Sequence, residues 1–177
     1  MELRVQLTRR PDGNVILRCT RQDESVTWQR YDRQSAHFCH HDLTHFAVES
    51  VLGLRRGFFG LLADGWDITD TTGKGSRGPL SFDSAFVEHI VGLFDGERGG
   101  VISPASAAEF NALIAQMTGR PLEPPLTDLQ LTGVRNRIAE LHMQWAATPP
   151  GSTLDLTFDR SEPAFVPRSW HAEHKES

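Results

Sequence analysis

Apolar and polar residues alternate from the start of the chain. Leu3, Val5 and Leu7 are interleaved with Arg4 and Gln6, and Val15, Leu17 and Cys19 repeat the pattern up to Thr20. A period of two is that of a half-buried strand, and Pro11-Asp12-Gly13-Asn14 between the two runs is turn chemistry. After Gln22-Asp23-Glu24-Ser25, the residues Val26, Trp28 and Arg30 carry the alternation on. Residues 2–31 therefore predict a three-stranded antiparallel meander with one face to be covered.

Near His40 the period lengthens to that of a helix running towards Leu54. Leu43, Phe46, Ala47, Val51 and Leu54 form one apolar stripe, while His41, His45, Val48 and Leu52 lie opposite. Apolar residues on both sides predict a helix buried on both sides, with its His row against protein or a cleft.

Gly53, Gly57 and Gly60 then punctuate a short apolar segment of Phe58, Phe59, Leu61 and Leu62, by helix termination and close packing. Asp64, Asp67 and Asp70 surround Trp66 without the pattern of a calcium loop, and read as a polar loop able to lend one acidic ligand. Gly73-Lys74-Gly75-Ser76 lacks the full phosphate-loop motif and reads as a loop that can act as a lid.

Three more helices follow. Ser84 to Phe94 carries Phe86, Ile90 and Phe94 on one side, with Glu88 and His89 also on it. Ser103-Pro104 opens a second that ends at Gly119, and Thr127-Asp128 opens the longest, through Leu131, Val134, Ile138, Leu141 and Trp145. Leu154, Leu156 and Phe158 alternate again as a last strand able to join the meander at an edge. The class predicted is α+β: an N-terminal antiparallel meander plus a C-terminal strand, covered by about four helices. Residues 1–162 read as a single domain and 163–177 as a polar, unstructured tail, where His171 and His174 offer adventitious metal binding only.

Charge and composition narrow the function. With 18 Lys+Arg against 23 Asp+Glu the chain lacks the basic balance of a nucleic-acid binder. Cys19 and Cys39 are too few for a disulfide framework. No apolar run reaches the roughly 20 residues of a membrane span, and Met-Glu-Leu-Arg does not read as a signal peptide. The expectation is a soluble cytoplasmic protein acting on a small molecule that the sequence does not identify.

The candidate chemistry is concentrated in His40-His41-Asp42-Leu43-Thr44-His45-Phe46-Ala47-Val48-Glu49. His41 and His45 stand one turn apart on one face, the spacing with which a helix offers two nitrogens to one metal ion. Glu49 continues the row, but eight residues of helix rise about 12 Å, so His41 and Glu49 are not expected to bind the same ion undistorted. Helical side chains lean towards the N-terminus, which aims Glu49 at His45 as an orienting partner or base. Asp42 is expected as ligand or base beside His41. The candidate metal set is His41, Asp42, His45 and Glu49, with Asp42 and Glu49 the candidate catalytic groups and His89 the best distant ligand. Zinc is the default ion, and iron or manganese also suits two His and a carboxylate.

H-D-x-x-H resembles the zinc-binding motif of a ubiquinone-biosynthesis family, in which both His, the Asp and a later Glu hold the metal. Gly57 stands here where that Glu would fall. The motif is also similar to the H-E-x-x-H helix of zinc peptidases, with Asp42 in the place of their general base. The longer string HDLTHFAVE, with LGLRRGFFGLLADGWDI after it, resembles a group of uncharacterised bacterial proteins. The first resemblance implies a lyase-like or decarboxylating reaction, and the second hydrolysis. The residues themselves point to a small metal-dependent enzyme, hydrolase-like, with a non-catalytic binding protein whose His cluster is structural or sensing as the alternative.

Overall fold

The computed structural model describes residues 2–32, 35–75 and 77–159. The tail, with His171 and His174, lies outside the described residues. Four strands, β1 (Glu2–Arg9), β2 (Val15–Arg21), β3 (Val26–Tyr31) and β4 (Thr153–Asp159), form one antiparallel sheet in the order β3-β2-β1-β4. The meander is as the alternation predicts, and the C-terminal strand closes it at the β1 edge, with Leu3 opposite Phe158 and Val5 opposite Leu156. Five helices are found among the described residues: α1 (Ser35–Leu52), α2 (Phe58–Ala63), α3 (Phe82–Arg98), α4 (Ala107–Thr118) and α5 (Asp128–Ala147). A 3-10 turn at Ile68–Thr72 follows α2. The protein is α+β.

The helix ends carry local signals. Ser81 and Ser106 accept hydrogen bonds from the backbone three residues on, and Thr127 forms a capping box with Gln130. Helix α4 begins at Ala107 after the Ser106 cap, later than Ser103-Pro104 suggests, and ends at Gly119 in the left-handed conformation (φ 72°).

Helix α1 is the wall between two cores. Leu43, Phe46 and Ala47 face the sheet with Leu3, Leu17 and Phe158, whereas Val48 and Leu52 face α3, α4 and α5 with Ile90, Phe110 and Val134. Every residue from Asp42 to Glu49 is buried. The expected two-sided burial is therefore found, except that Val51 and Leu54 join the helical core and not the sheet side. Phe46, Phe59 and Phe158 pack with ring centroids 5.5–5.9 Å apart, a junction of α1, α2 and β4. Each such side chain contributes about 1.5–3 kcal/mol by leaving water.

Strand β3 departs from its apparent pattern. Thr27 and Tyr31 face inwards and Trp28 is 63% exposed on the outer face. Polar demands set this orientation. The Thr27 hydroxyl accepts the Ile68 N–H (3.0 Å), and the Tyr31 hydroxyl reaches Asp42 beneath the sheet (2.8 Å).

Candidate metal centre

Two imidazoles, His45 buried and His41 partly exposed, start the site, and each has its Nδ1 taken by a separate carboxylate. His41 Nδ1 lies 2.7 Å from Asp95 Oδ2 on α3, and the Thr44 hydroxyl donates to the other oxygen of Asp95 (3.0 Å). His45 Nδ1 lies 3.0 Å from Glu49 Oε1 on its own helix. An ionised carboxylate only accepts, so each Nδ1 carries the proton and each Nε2 is directed away from its partner. The two rings are 4.7 Å apart and nearly perpendicular (84°).

Helix α3 supplies the third group. Glu88 Oε2 is 3.3 Å from His45 Nε2, and one ligand atom each from His41, His45 and Glu88 lies within 4.8 Å of the others. A tetrahedral ion with bonds of about 2.0–2.1 Å spaces its ligands roughly 3.3 Å apart, which is the spacing of the His45–Glu88 pair. This is the group among the described residues with metal-ligand spacing.

The motif carboxylates are placed elsewhere. Asp42 points to the sheet side, where its carboxylate accepts from Tyr31, and burial pushes its pKa up to about 6 against the hydrogen bond and the neighbouring imidazoles. Glu49 is wholly buried and accepts from Phe59 N (3.3 Å) and Gly60 N (2.9 Å) as well as from His45. It thereby caps α2, whose own first residues have no side-chain cap. Gly57 has no room for a side chain, since a Cβ there would lie 2.3 Å from Glu49 Cδ. His89 turns its Nδ1 back to Ala85 O at 2.7 Å, on its own helix, so it is Glu88 beside it that meets the imidazoles. Asp64, Asp67 and Asp70 do not join the group; Asp67 and Asp70 pair with Arg21 and Arg77, each at 3.8 Å.

The neighbouring carboxylates hold a positive charge on His45 itself. Burial opposes charge on His45, but hydrogen bonds to Glu49 and Glu88 outweigh it and push the imidazole up to about 10. Glu88 and Asp95 are likewise held below the ordinary carboxylate range: partial burial opposes the charge, and His45 and His41 respectively overcome it. The site is open on one side, because the His41 side chain is 32% exposed and that of Glu88 42%.

Comparison with known proteins leaves the site to its own geometry, since no family model, curated protein or solved structure matches the chain. No helix among the described residues is long and apolar enough to cross a membrane.

Proposed function

We propose that this chain is a small metal-dependent enzyme, hydrolase-like, whose divalent ion is held by His41, His45 and Glu88. The observation that carries the reading is the pairing of each imidazole Nδ1 with its own carboxylate, Asp95 for His41 and Glu49 for His45, while His45 Nε2 meets Glu88 at 3.3 Å and a ligand atom of His41 lies within 4.8 Å of that pair, so that an ion would take the place of the proton between His45 and Glu88. Metal-ligating histidines almost always have such a partner, which fixes the tautomer and raises ligand basicity. Two His and one carboxylate leave at least one coordination position for water or substrate. An ion so held lowers the pKa of a bound water towards about 7 and polarises a carbonyl or phosphoryl oxygen. Zinc is the first ion to test, with iron and manganese next.

In this reading Glu49 and Asp95 orient the ligands. Asp42, bonded to Tyr31 on the sheet side, is a weaker candidate for the general base than a group at the open side of the ion. The alternative is a non-catalytic protein with a structural ion, favoured by the complete burial of Glu49 and its tie to α2. Partial exposure of His41 and Glu88 favours the enzyme.

Elemental analysis of protein purified without a His tag, beside a His41→Ala, His45→Ala variant, tests the reading. A near-stoichiometric ion in the parent, absent from a folded variant, is the expected result. A parent that binds none of zinc, iron or manganese removes the basis of the proposal. Chelation separates the two roles, since a structural ion leaves an unfolded domain behind it and a catalytic ion a folded one.

A further inference from the structure

Helix α3 brings both of its carboxylates to the imidazoles from one face. At 3.6 residues per turn, Glu88, Gly92 and Asp95 fall within about 60° of one another around the helix. Glu88 meets His45 and Asp95 meets His41, so Gly92 sits between them along the same face. Its place there is unusual in two ways. A glycine inside a helix costs about 1 kcal/mol relative to alanine. No packing explains it either, since a Cβ built at Gly92 meets nothing within 4 Å and the residue is exposed. Gly96, one turn on, does have such a reason, because a Cβ there would come within 3.2 Å of Ile102. On α1 the facing rim is His37, whose exposed ring lies parallel to that of His41 at 6.4 Å.

We propose that Gly92 is the access point of the metal site: the missing side chain leaves the opening through which a small molecule with an oxygen donor reaches the ion. This rests on the metal reading above. The ligand class is one that presents a carbonyl, carboxylate or hydroxamate oxygen, since the ion's remaining position accepts oxygen donors and Glu88 and His41 frame it with polar atoms. Gly92 acts by its size alone. Alanine adds one methyl group to an open helix face, while leucine adds a branched side chain one turn from Glu88 and about one turn from Asp95, on the exposed flank of the two acids.

The test uses Co(II) as the probe ion and acetohydroxamate as the probe ligand, with the visible cobalt spectrum as readout. The parent, Gly92→Ala and Gly92→Leu are expected to load Co(II) alike and give the same spectrum without ligand. Hydroxamate then shifts the spectrum of the parent and of Gly92→Ala, and binds Gly92→Leu at least 10-fold more weakly. Equal hydroxamate affinity in the parent and Gly92→Leu overturns the access proposal while leaving the metal site standing. So does a parent that loads Co(II) but shows no response to hydroxamate, because its ion is then closed to ligands. A parent that takes up no Co(II) fails at the earlier step and sinks the metal reading itself. Should Gly92→Leu not load Co(II), Gly92→Val takes its place, and hydroxamate affinity in Gly92→Val equal to that of the parent overturns the proposal.

Discussion

Gly57→Ala should be among the most damaging single-methyl changes in this protein. The backbone at Gly57 (φ −79°, ψ −172°) suits any residue, so the substitution tests space and not conformation. A Cβ would lie 2.3 Å from Glu49 Cδ and 2.6 and 2.7 Å from its oxygens, which forces the carboxylate back by about 1 Å, judged from ordinary contact distances. That carboxylate accepts from His45, Phe59 and Gly60, and a hydrogen bond to a charged group contributes about 1.5–3 kcal/mol. Losing two of the three costs about 3–6 kcal/mol. The more restricted unfolded chain offsets about 0.4–1 kcal/mol, for a net loss of roughly 2–5 kcal/mol. Urea unfolding followed by tryptophan fluorescence measures it. The same substitution in a Glu49→Ala background meets a hole instead of a carboxylate and should be close to neutral, so the double-mutant cycle should show coupling of about 2–5 kcal/mol. A Gly57→Ala loss below about 1 kcal/mol, or an equal loss in both backgrounds, would refute the reasoning.

Three further outcomes are expected. Asp95→Asn removes the charged partner of His41 and should weaken zinc binding about 10–100-fold by competition with a chromophoric chelator, with far-UV circular dichroism unchanged; unchanged affinity would mean that Asp95 does not position the ligand. His142, whose pKa is lowered by burial and by nearby His40, contributes stability that is present above its unfolded value of 6.5 and is lost as pH falls through the folded one. Stability curves should therefore fall more steeply below pH 6.5 for the parent than for His142→Gln, and the opposite order would contradict the assignment. Thr127→Ala removes the cap of α5 and should cost about 1 kcal/mol in chemical denaturation, with Thr127→Ser recovering most of it.

Much of the fold was readable because local chemistry and tertiary structure agree. The alternation of Leu3, Val5 and Leu7 survives as the buried face of β1, and Thr127 with Gln130 caps α5 as a capping signal does. The two-sided character of α1 was legible in its apolar stripes. Strand β3 was not, because Val26 and Trp28 outweigh Thr27 on any hydrophobicity reading, while Thr27 is drawn inwards by an amide more than 40 positions away at Ile68. In the site, the direction of Glu49 towards His45 followed from helix geometry alone. The partner of Asp42 did not, since Tyr31 belongs to another element. Chemical type alone favours His89 over Glu88 as a ligand, although the phase of α3 separates them: Glu88 shares a face with Asp95, seven positions on, and both reach α1. Two acids at that spacing beside the buried Ile90, Val91 and Phe94 were the available signal.

Helix α2 has six residues, too few to hold a helical conformation unaided, and the acceptor that closes its first turn belongs to α1. The HDxxH helix and α2 are therefore one cooperative unit despite the glycines between them. The amide protons of Phe59 and Gly60 serve as remote reporters of the state of His45: their exchange with solvent should track opening of the His45–Glu49 contact, so that an imidazole with no optical signal of its own can be followed through two backbone positions on a neighbouring helix.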